Sequence, residues 1–267
     1  MKKIYFIFAI VILGAFIVPK KITSGTLVSD NIAVTGKLFT SLYQQHAAEY
    51  KALCFQAYNI ARLRIDESLQ QASSKKRAII TDIDETILDN SPFAVHQALQ
   101  GKEYDFTAWL DWINRSQCDT LAGALSFLNY AASKKVEVFY ITNREEKERA
   151  GTLKNLQNFG FPNADNDHLI VKQTTSSKES RRQQIASTFN IVLLLGDNLS
   201  DFNALFDKKS TKERLTATQQ SSSEFGKTFI VLPNPDYGDW ENALYQYNYK
   251  LSPAQKDSII KSNLKSY

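Results

Sequence analysis

A short apolar run that ends in two aspartates constrains this chain more than any other feature. The run Ala78–Ile80 is typical of a buried β-strand, and Thr81 connects it to Asp82 and Asp84. In an open α/β sheet, ligands bind beyond the carboxyl ends of the strands, where these two carboxylates would lie. Two carboxylates this close repel each other unless a cation lies between them or one stays protonated. A DxD pair also occurs at ordinary solvated strand ends, so the rest of the chain decides between a site and a turn.

Two later stretches repeat the pattern of a buried strand that ends in polar groups. Val136–Ile141 and Ile191–Leu195 are apolar and of strand length. The polar residues after all three strands can therefore converge on one crevice at the edge of a parallel sheet. Carboxylate oxygens in such a crevice are ligands that Mg²⁺ prefers. The residues concerned are Thr142, Asn143 and Arg144 after the second strand, and Asp197 and Asp201 after the third.

The order of these motifs resembles the class C acid phosphatases, of the lipoprotein e type, in the haloacid dehalogenase superfamily. The matching strings extend from about Leu42 to Trp240 and so cover most of the chain. Each string alone is weak evidence, but several in the family's order and at family-like spacing are specific. They are QQHAAEYKALCFQAYNIA, DIDETILDNSPF, LNYAASKKVEVFYITNR, GDNLSDF and LPNPDYGDWE.

Strand and helix alternation from Arg77 onwards predicts an α/β fold with a Rossmann-like parallel sheet flanked by helices. The resemblance implies the haloacid dehalogenase-like form of this fold, with a small helical cap and an N-terminal helical extension. The polar, weakly periodic segment Asp207–Ser223 is predicted to be a loop or a partly mobile helix. The expected divisions are a leader at 1–25 and one phosphatase domain at 26–267. The domain comprises N-terminal helices (26–76), core (77–90 and 121–205), cap insertion (91–120), and a C-terminal strand and helices (206–267).

The resemblance implies hydrolysis of phosphomonoesters through an aspartyl-phosphate formed on Asp82. Asp84 would protonate the leaving oxygen and then take a proton from the attacking water. Side chains alternate along a strand, so both acids can reach one phosphate while Ile83 points into the core. The expected cofactor is Mg²⁺, held by Asp82, the backbone carbonyl of Asp84, Asp197, and Asp201 directly or through water.

Phosphate-binding groups are expected after the second strand and before a later helix. Thr142 and Asn143 are placed to bind phosphate oxygens beside a helix N-terminus, although both would also serve as ordinary helix caps. The superfamily places a lysine between the second and third strands, and Lys172 and Lys178 both lie there. Lys178 is favoured because it precedes a predicted helix start and begins a KxxR pattern with Arg181.

The resemblance also implies contacts to the substrate's leaving group. Tyr104, in the cap insertion, and Tyr237, in a Pro/Asn-rich loop, would face each other across that group, with Arg144 as a further substrate-binding residue. An aromatic ring in the cap can stack on a base or another ring of the substrate. Packing within the cap, or against the surface, is the alternative for each tyrosine.

The expected function is an exported, Mg²⁺-dependent acid phosphatase whose substrates include nucleoside 5′-monophosphates and whose pH optimum is acidic. Two alternatives stay open. One is another phosphatase or a phosphotransferase of the superfamily that acts on sugar phosphates, and the other is a non-catalytic binding or storage protein on the same scaffold. The presence of all four motif aspartates argues against the storage protein. The expected partner is a small phosphomonoester, with a homodimer left open.

Residues 1–25 resemble an export signal, with a lysine-containing start, the apolar run Ile4–Val18 and small residues at Thr23–Gly25. The run is shorter than the ~20 residues that span a bilayer. Lys20 and Lys21 keep an uncleaved anchor as the alternative, which would be the chain's only membrane contact. No cysteine directly follows the run, since the first is Cys54, and this argues against the lipid anchor that the resemblance implies. We therefore expect export to the periplasm or the cell surface.

Charge and cysteine content exclude some further classes. The leader contains four lysines and no acidic residue, which accounts for the whole formal net charge of +4, so nothing favours nucleic-acid binding. The three histidines are widely spaced and give no zinc pattern. Cys54 lies in an apolar helical pattern typical of a core position, and whether it pairs with Cys118 is left open.

Overall fold

The computed structural model describes residues 31–267, so the leader predicted at 1–25 lies outside the described residues. A five-stranded parallel sheet in the order β5-β4-β1-β6-β7 forms the centre of the protein. Its strands are β1 (Arg77–Thr81), β4 (Glu137–Ile141), β5 (Leu169–Ile170), β6 (Asn190–Gly196) and β7 (Phe229–Val231). A separate antiparallel pair is made by β2 (Leu88–Asp89) and β3 (Asp119–Thr120). The predicted parallel α/β fold is confirmed.

The central strand β1 is buried on both faces because helices cover the sheet on each side. Ile79 belongs to one apolar cluster, whereas Ala78 and Ile80 belong to another. This alternation follows from the two-residue period of a strand, and it explains why β1 is continuously apolar. Ile83, just beyond the strand, is fully buried in the same apolar cluster as Ile79, as predicted.

Helices before, between and after the strands cover the two faces of the sheet. None of the helices in residues 31–267 combines the length and apolarity needed to cross a membrane. The helices are α1 (Ile32–His46), α2 (Ala48–Leu69), α3 (Ser91–Leu99), α4 (Phe106–Arg115), α5 (Ala124–Ser133), α6 (Arg149–Phe159), α7 (Glu179–Thr188), α8 (Thr211–Gln220), α9 (Asp239–Leu244) and α10 (Pro253–Asn263).

The cap insertion consists of α3 and α4, and its two ends are joined by the β2–β3 pair. Trp109 of α4 donates from Nε1 to Glu148 Oε1 at 2.6 Å, which fastens the cap to the segment after β4. The N-terminal extension lies beside the cap, since α1 packs against α3 and also contacts α10. The cap and the N-terminal extension therefore flank the same end of the sheet.

The segment 207–223 contains the regular helix α8, where the sequence predicted a loop or a partly mobile helix. Ser210 caps the helix by accepting from the Glu213 backbone N–H, and the Glu213 side chain accepts from the Ser210 N–H in return. Arg214 and Ala217 supply its buried face. A capping box and two buried positions thus suffice for a helix whose apolar periodicity is weak.

Both cysteines are buried, free thiols. Cys54 and Cys118 lie in the same apolar cluster, and each is fully shielded from solvent. The core role predicted for Cys54 agrees with this placement.

Candidate active site

A cavity of about 710 Å³ lies at the carboxyl ends of the central strands. It is lined by every residue predicted for the site except Thr142. The cap and the C-terminal segment form its outer walls, and the start of α1 contributes Ala33 and Lys37. Three strands, the cap and both ends of the described chain therefore meet around one opening.

The base of the cavity holds three carboxylates that converge on one point. Asp82, Asp197 and Asp201 each offer an oxygen, and these oxygens lie within 4.8 Å of one another. Gly196 makes this possible, because a Cβ at that position would overlap the Asp201 carboxylate. Hard oxygen donors at this spacing fit a divalent cation such as Mg²⁺.

Burial makes it costly to ionise two of these carboxylates, those of Asp82 and Asp197. It raises the pKa of Asp82 to about 7, with Lys178 opposing the shift and Asp201 adding to it. Burial also raises the pKa of Asp197 well above its usual range. The negative charges of Asp201 and Asp82 raise it further, by smaller amounts. Buried carboxylates that are difficult to ionise alone are stabilised as anions by a cation between them.

Lys178 supplies a fixed positive charge within this cluster. It immediately precedes α7, and its Nζ lies 2.5 Å from Asp82 Oδ1 and 2.6 Å from Asp201 Oδ1. Burial opposes its charge, but the two carboxylates raise the pKa of Lys178 above its usual value. Lys172 also lines the cavity but pairs with Glu145 at 2.8 Å. The geometry therefore favours Lys178 over Lys172 as the lysine beside the first aspartate.

Asp84 lies in the same cavity, held by a buried arginine. Arg144 Nη2 is 2.7 Å from Asp84 Oδ1, and the side chains are 1% and 18% exposed, respectively. Arg144 also donates from Nη1 to Thr152 Oγ1 at 2.9 Å, and Asn90 Nδ2 donates to Asp84 Oδ1 at 2.9 Å. Arg144 was predicted to bind substrate; in the structure its guanidinium contacts the Asp84 carboxylate.

Thr142 and Asn143 differ in their access to the cavity. Thr142 is fully buried, and its hydroxyl accepts from the Arg144 backbone N–H at 3.0 Å. Asn143 lines the cavity, and its Oδ1 accepts from Arg181 Nη2 at 2.8 Å. Arg181 also donates to the Thr142 carbonyl at 2.7 Å, so the arginine of the KxxR pattern fixes the turn after β4.

The two predicted leaving-group tyrosines reach the cavity from different walls. Tyr104 belongs to the cap, is 59% exposed and packs edge-on against Phe93 with ring centroids 6.2 Å apart. Tyr237 follows β7 and lines the cavity, and its hydroxyl donates to the Glu85 carboxylate. The cavity thus has an exposed aromatic ring on one wall and an anchored one on another.

Several residues that shape this site were not predicted to do so. Glu85 is fully buried with a left-handed backbone (φ 51°), and it accepts from the Asn90 backbone N–H at 2.7 Å. Asn90 also accepts from Trp112 Nε1 at 2.9 Å, which ties the cap to the first motif. Both are polar residues within the motif string DIDETILDN, and that was the available signal. Tyr245 and Tyr249 line the outer wall without any motif to mark them.

Comparison with known proteins gives a consistent result. A family described as HAD superfamily, subfamily IIIB (Acid phosphatase) matches residues 27–240. The chain is similar to the class C acid phosphatase structure from Bacillus anthracis, with 45% identity and a TM-score of 0.85 over 88% of this chain and 99% of that chain. The tungstate-bound structure of the Bacillus anthracis class C acid phosphatase gives the same identity and TM-score, over 88% of this chain and 98% of that chain.

Curated relatives match a shorter stretch. The chain is 29% identical over 130 residues to acid phosphatase 1 of Solanum lycopersicum, covering 46% of this chain and 50% of that protein. The chain spans about half the length of the first curated relatives it matches.

Proposed function

The chain belongs to the acid phosphatases of HAD superfamily subfamily IIIB, and from this premise we propose that it is an exported, Mg²⁺-dependent phosphatase that forms an aspartyl-phosphate on Asp82. The observation that carries the proposal is the cluster of Asp82, Asp197 and Asp201 with Lys178 at the base of the cavity. Export rests on the sequence of residues 1–25 alone.

The carboxylate cluster is the proposed Mg²⁺ site. Asp82, Asp197 and Asp201 would hold the ion, with the backbone carbonyl of Asp84 as the predicted further donor. When bound, Mg²⁺ would supply positive charge against the phosphate oxygens as the phosphoryl group is transferred. The set contains no thiolate or imidazole, so it suits a hard cation better than a soft one.

In the first step, an Asp82 carboxylate oxygen bonds to phosphorus as the bond from phosphorus to the leaving oxygen breaks. Lys178 contacts Asp82 Oδ1 and so orients the nucleophile. Asp84, held by Arg144, gives a proton to the leaving oxygen. In the second step, water attacks phosphorus, Asp84 takes its proton, and phosphate is released with the Asp82 carboxylate restored.

Phosphate oxygens in this proposal are bound by Lys178 and Asn143, which both line the cavity. Positive charge and amide donors fixed in advance at a buried site are the main requirement of phosphoryl transfer. Thr142 would act by fixing the turn that carries Asn143, since its hydroxyl already accepts the Arg144 backbone N–H.

The leaving group would lie between Tyr104 and Tyr237, and this favours substrates that carry a ring. Nucleoside 5′-monophosphates are the proposed substrates because a base can stack on an exposed aromatic side chain. Sugar phosphates are the alternative. Phosphate release from AMP and from ribose 5-phosphate, compared at equal concentration, separates the two, and a higher kcat/KM for ribose 5-phosphate would contradict the nucleotide preference.

Replacement of the nucleophile tests the whole proposal. In Asp82→Asn we expect hydrolysis of p-nitrophenyl phosphate to fall at least about 10³-fold, which corresponds to about 4 kcal/mol of barrier. The amide cannot form the aspartyl-phosphate, while its size keeps the fold. Asp119→Asn, at an exposed residue outside the cavity lining, is the matched control and should retain activity. Full activity in folded Asp82→Asn would refute the role of Asp82.

A further inference from the structure

The loop Pro233–Tyr237 makes a direct contact with a proposed metal ligand. Asn234 Nδ2 donates to Asp197 Oδ2 at 2.8 Å. The other end of the same amide group is also held, because Asn234 Oδ1 accepts from the backbone N–H groups of Asp236 at 2.9 Å and Tyr237 at 3.3 Å. The loop therefore folds around the Asn234 side chain and aims its amide nitrogen at Asp197.

The N-terminal helices hold this loop from the opposite side. Asp236 is buried (3% exposed), and its carboxylate accepts from the hydroxyls of Thr40 and Ser41 in α1, the latter at 3.0 Å. Tyr50 of α2 donates from its hydroxyl to the Pro233 carbonyl at 3.1 Å. Charge-assisted hydrogen bonds of this kind are stronger than neutral ones. The loop is therefore bonded to α1 and α2 through one surface and to Asp197 through the other.

Asp197 itself has a hydrogen bond on each carboxylate oxygen. Thr86 Oγ1 donates to Oδ1 at 3.2 Å, and Asn234 Nδ2 donates to Oδ2. A carboxylate oxygen has two lone-pair sites, so each oxygen retains one that can bind an ion. Two donors from different parts of the chain fix the plane of this carboxylate before any ion arrives.

We propose that Asn234 is a positioning residue for the proposed metal ligand Asp197. Helix α1 holds the loop that carries Asn234 in place, because Thr40 and Ser41 bind Asp236. The proposal rests on the metal site of the proposed function. Groups that orient a ligating carboxylate in this way commonly change metal affinity about 10- to 100-fold when they are removed. A loop that merely packed against the sheet would contribute to stability and leave metal affinity unchanged.

Asn234→Ser separates positioning from packing. The serine hydroxyl can accept the Asp236 backbone N–H and so keep the turn, but it is too short to reach Asp197. We expect the Kd for Mg²⁺, measured by isothermal titration calorimetry without substrate, to rise at least about tenfold. The melting temperature in EDTA should stay close to that of the wild type, since the turn is retained.

A second variant tests the link to α1. Ser41→Ala combined with Thr40→Val removes both hydroxyl donors to Asp236 without touching the loop. We expect a smaller rise in the Mg²⁺ Kd than in Asn234→Ser. Gln44→Leu is the matched control, because it removes an equally buried donor of α1 whose acceptor, Asp89, is not a proposed ligand. Its Mg²⁺ Kd should equal that of the wild type.

The outcomes separate this inference from the proposed function. If the wild type shows no Mg²⁺ binding in calorimetry, the proposed metal site fails. If the wild type binds Mg²⁺ and folded Asn234→Ser binds it with the same Kd, the positioning role is overturned while the metal site stands. If Asn234→Ser is unfolded in EDTA, the double variant at 40 and 41 decides, and an unchanged Kd there overturns the role of α1.

Discussion

Arg144 and Asp84 form an ion pair whose contribution to stability depends on its burial. The arginine is almost completely buried and donates hydrogen bonds to both Asp84 and Thr152. Replacing it would therefore leave polar groups in the site without a partner. The sequence marked both residues as site residues because each follows a motif strand. It did not reveal that they contact each other, since that contact joins positions 60 residues apart, just beyond the ends of neighbouring strands.

Loss of Arg144 should cost both stability and activity. Arg144→Met retains much of the side-chain volume but leaves the Asp84 carboxylate without its partner, so we expect a loss of about 3 kcal/mol in the free energy of unfolding. Urea denaturation in EDTA measures it. Arg115→Met breaks a pair with Asp111 whose side chains are 59% and 66% exposed, and it should cost at most about 1 kcal/mol. Equal losses in the two variants would contradict the importance of burial.

The raised pKa of Asp82 makes the stability of the metal-free protein depend on pH. Its value is about 7 in the folded protein and about 3.9 in an unfolded chain. Between these two values the folded state binds more protons than the unfolded state, so stability falls as pH rises. Asp197 acts in the same direction, because its pKa is also raised.

We therefore expect the protein in EDTA to melt at a higher temperature at pH 5 than at pH 7.5. Each extra proton held by the folded state contributes a slope of up to about 1.4 kcal/mol per pH unit. Thermal melts across this range measure the slope, and Asp82→Asn should reduce it, because the asparagine does not titrate whereas Asp197 still does. A melting temperature that rises steadily from pH 5 to 7.5 in EDTA would contradict the raised pKa.

The cap is the element whose contribution to substrate choice can be isolated. Tyr104 is more than half exposed and touches the cap through Phe93 and Trp109, with ring centroids 6.2 and 6.1 Å away. Removing the ring should therefore cost little stability. It should remove a stacking surface that is worth about 1–3 kcal/mol per base in other proteins.

In Tyr104→Ala we expect KM for AMP to rise about tenfold, the equivalent of about 1.4 kcal/mol. KM for ribose 5-phosphate should change far less, because that substrate has no base to stack. Steady-state kinetics with both substrates, and a melting temperature to confirm folding, provide the measurement. Equal increases for the two substrates would show that Tyr104 does not contact a base.

Elements that pack against the sheet could be predicted from sequence more fully than those that close the site. Apolar strands followed by polar motif residues predicted the core sheet and the convergence of the aspartates, and the family resemblance implied the helical cap. The outer wall from Gly238 to Tyr249 could not be placed, because its residues are polar or aromatic without a strong period. The same applies to Asn234, whose role depends on a contact with Asp197 that no local pattern encodes.

At the scale of the whole molecule, binding of the proposed Mg²⁺ ion should both stabilise the folded protein and be required for activity. A ligand that binds only the folded state stabilises it by about 2.7 kcal/mol at a concentration of 100 times its Kd. We expect saturating Mg²⁺ to raise the melting temperature and EDTA to abolish hydrolysis of p-nitrophenyl phosphate, with recovery when Mg²⁺ is restored. Asp197→Asn should lose the Mg²⁺-dependent shift, and unchanged activity in EDTA would rule out the metal.

The pairing of α1 with the loop near position 236 joins residues 195 positions apart along the chain. Closing so long a connection is slow relative to local folding, and it needs both segments to exist. A ribosome stalled before residue 233 would therefore hold a polypeptide that contains Asp82, the proposed nucleophile, but lacks Asn234, one of the two donors to Asp197. We therefore expect an incomplete polypeptide to reach its full affinity for Mg²⁺ only after this loop has been synthesised.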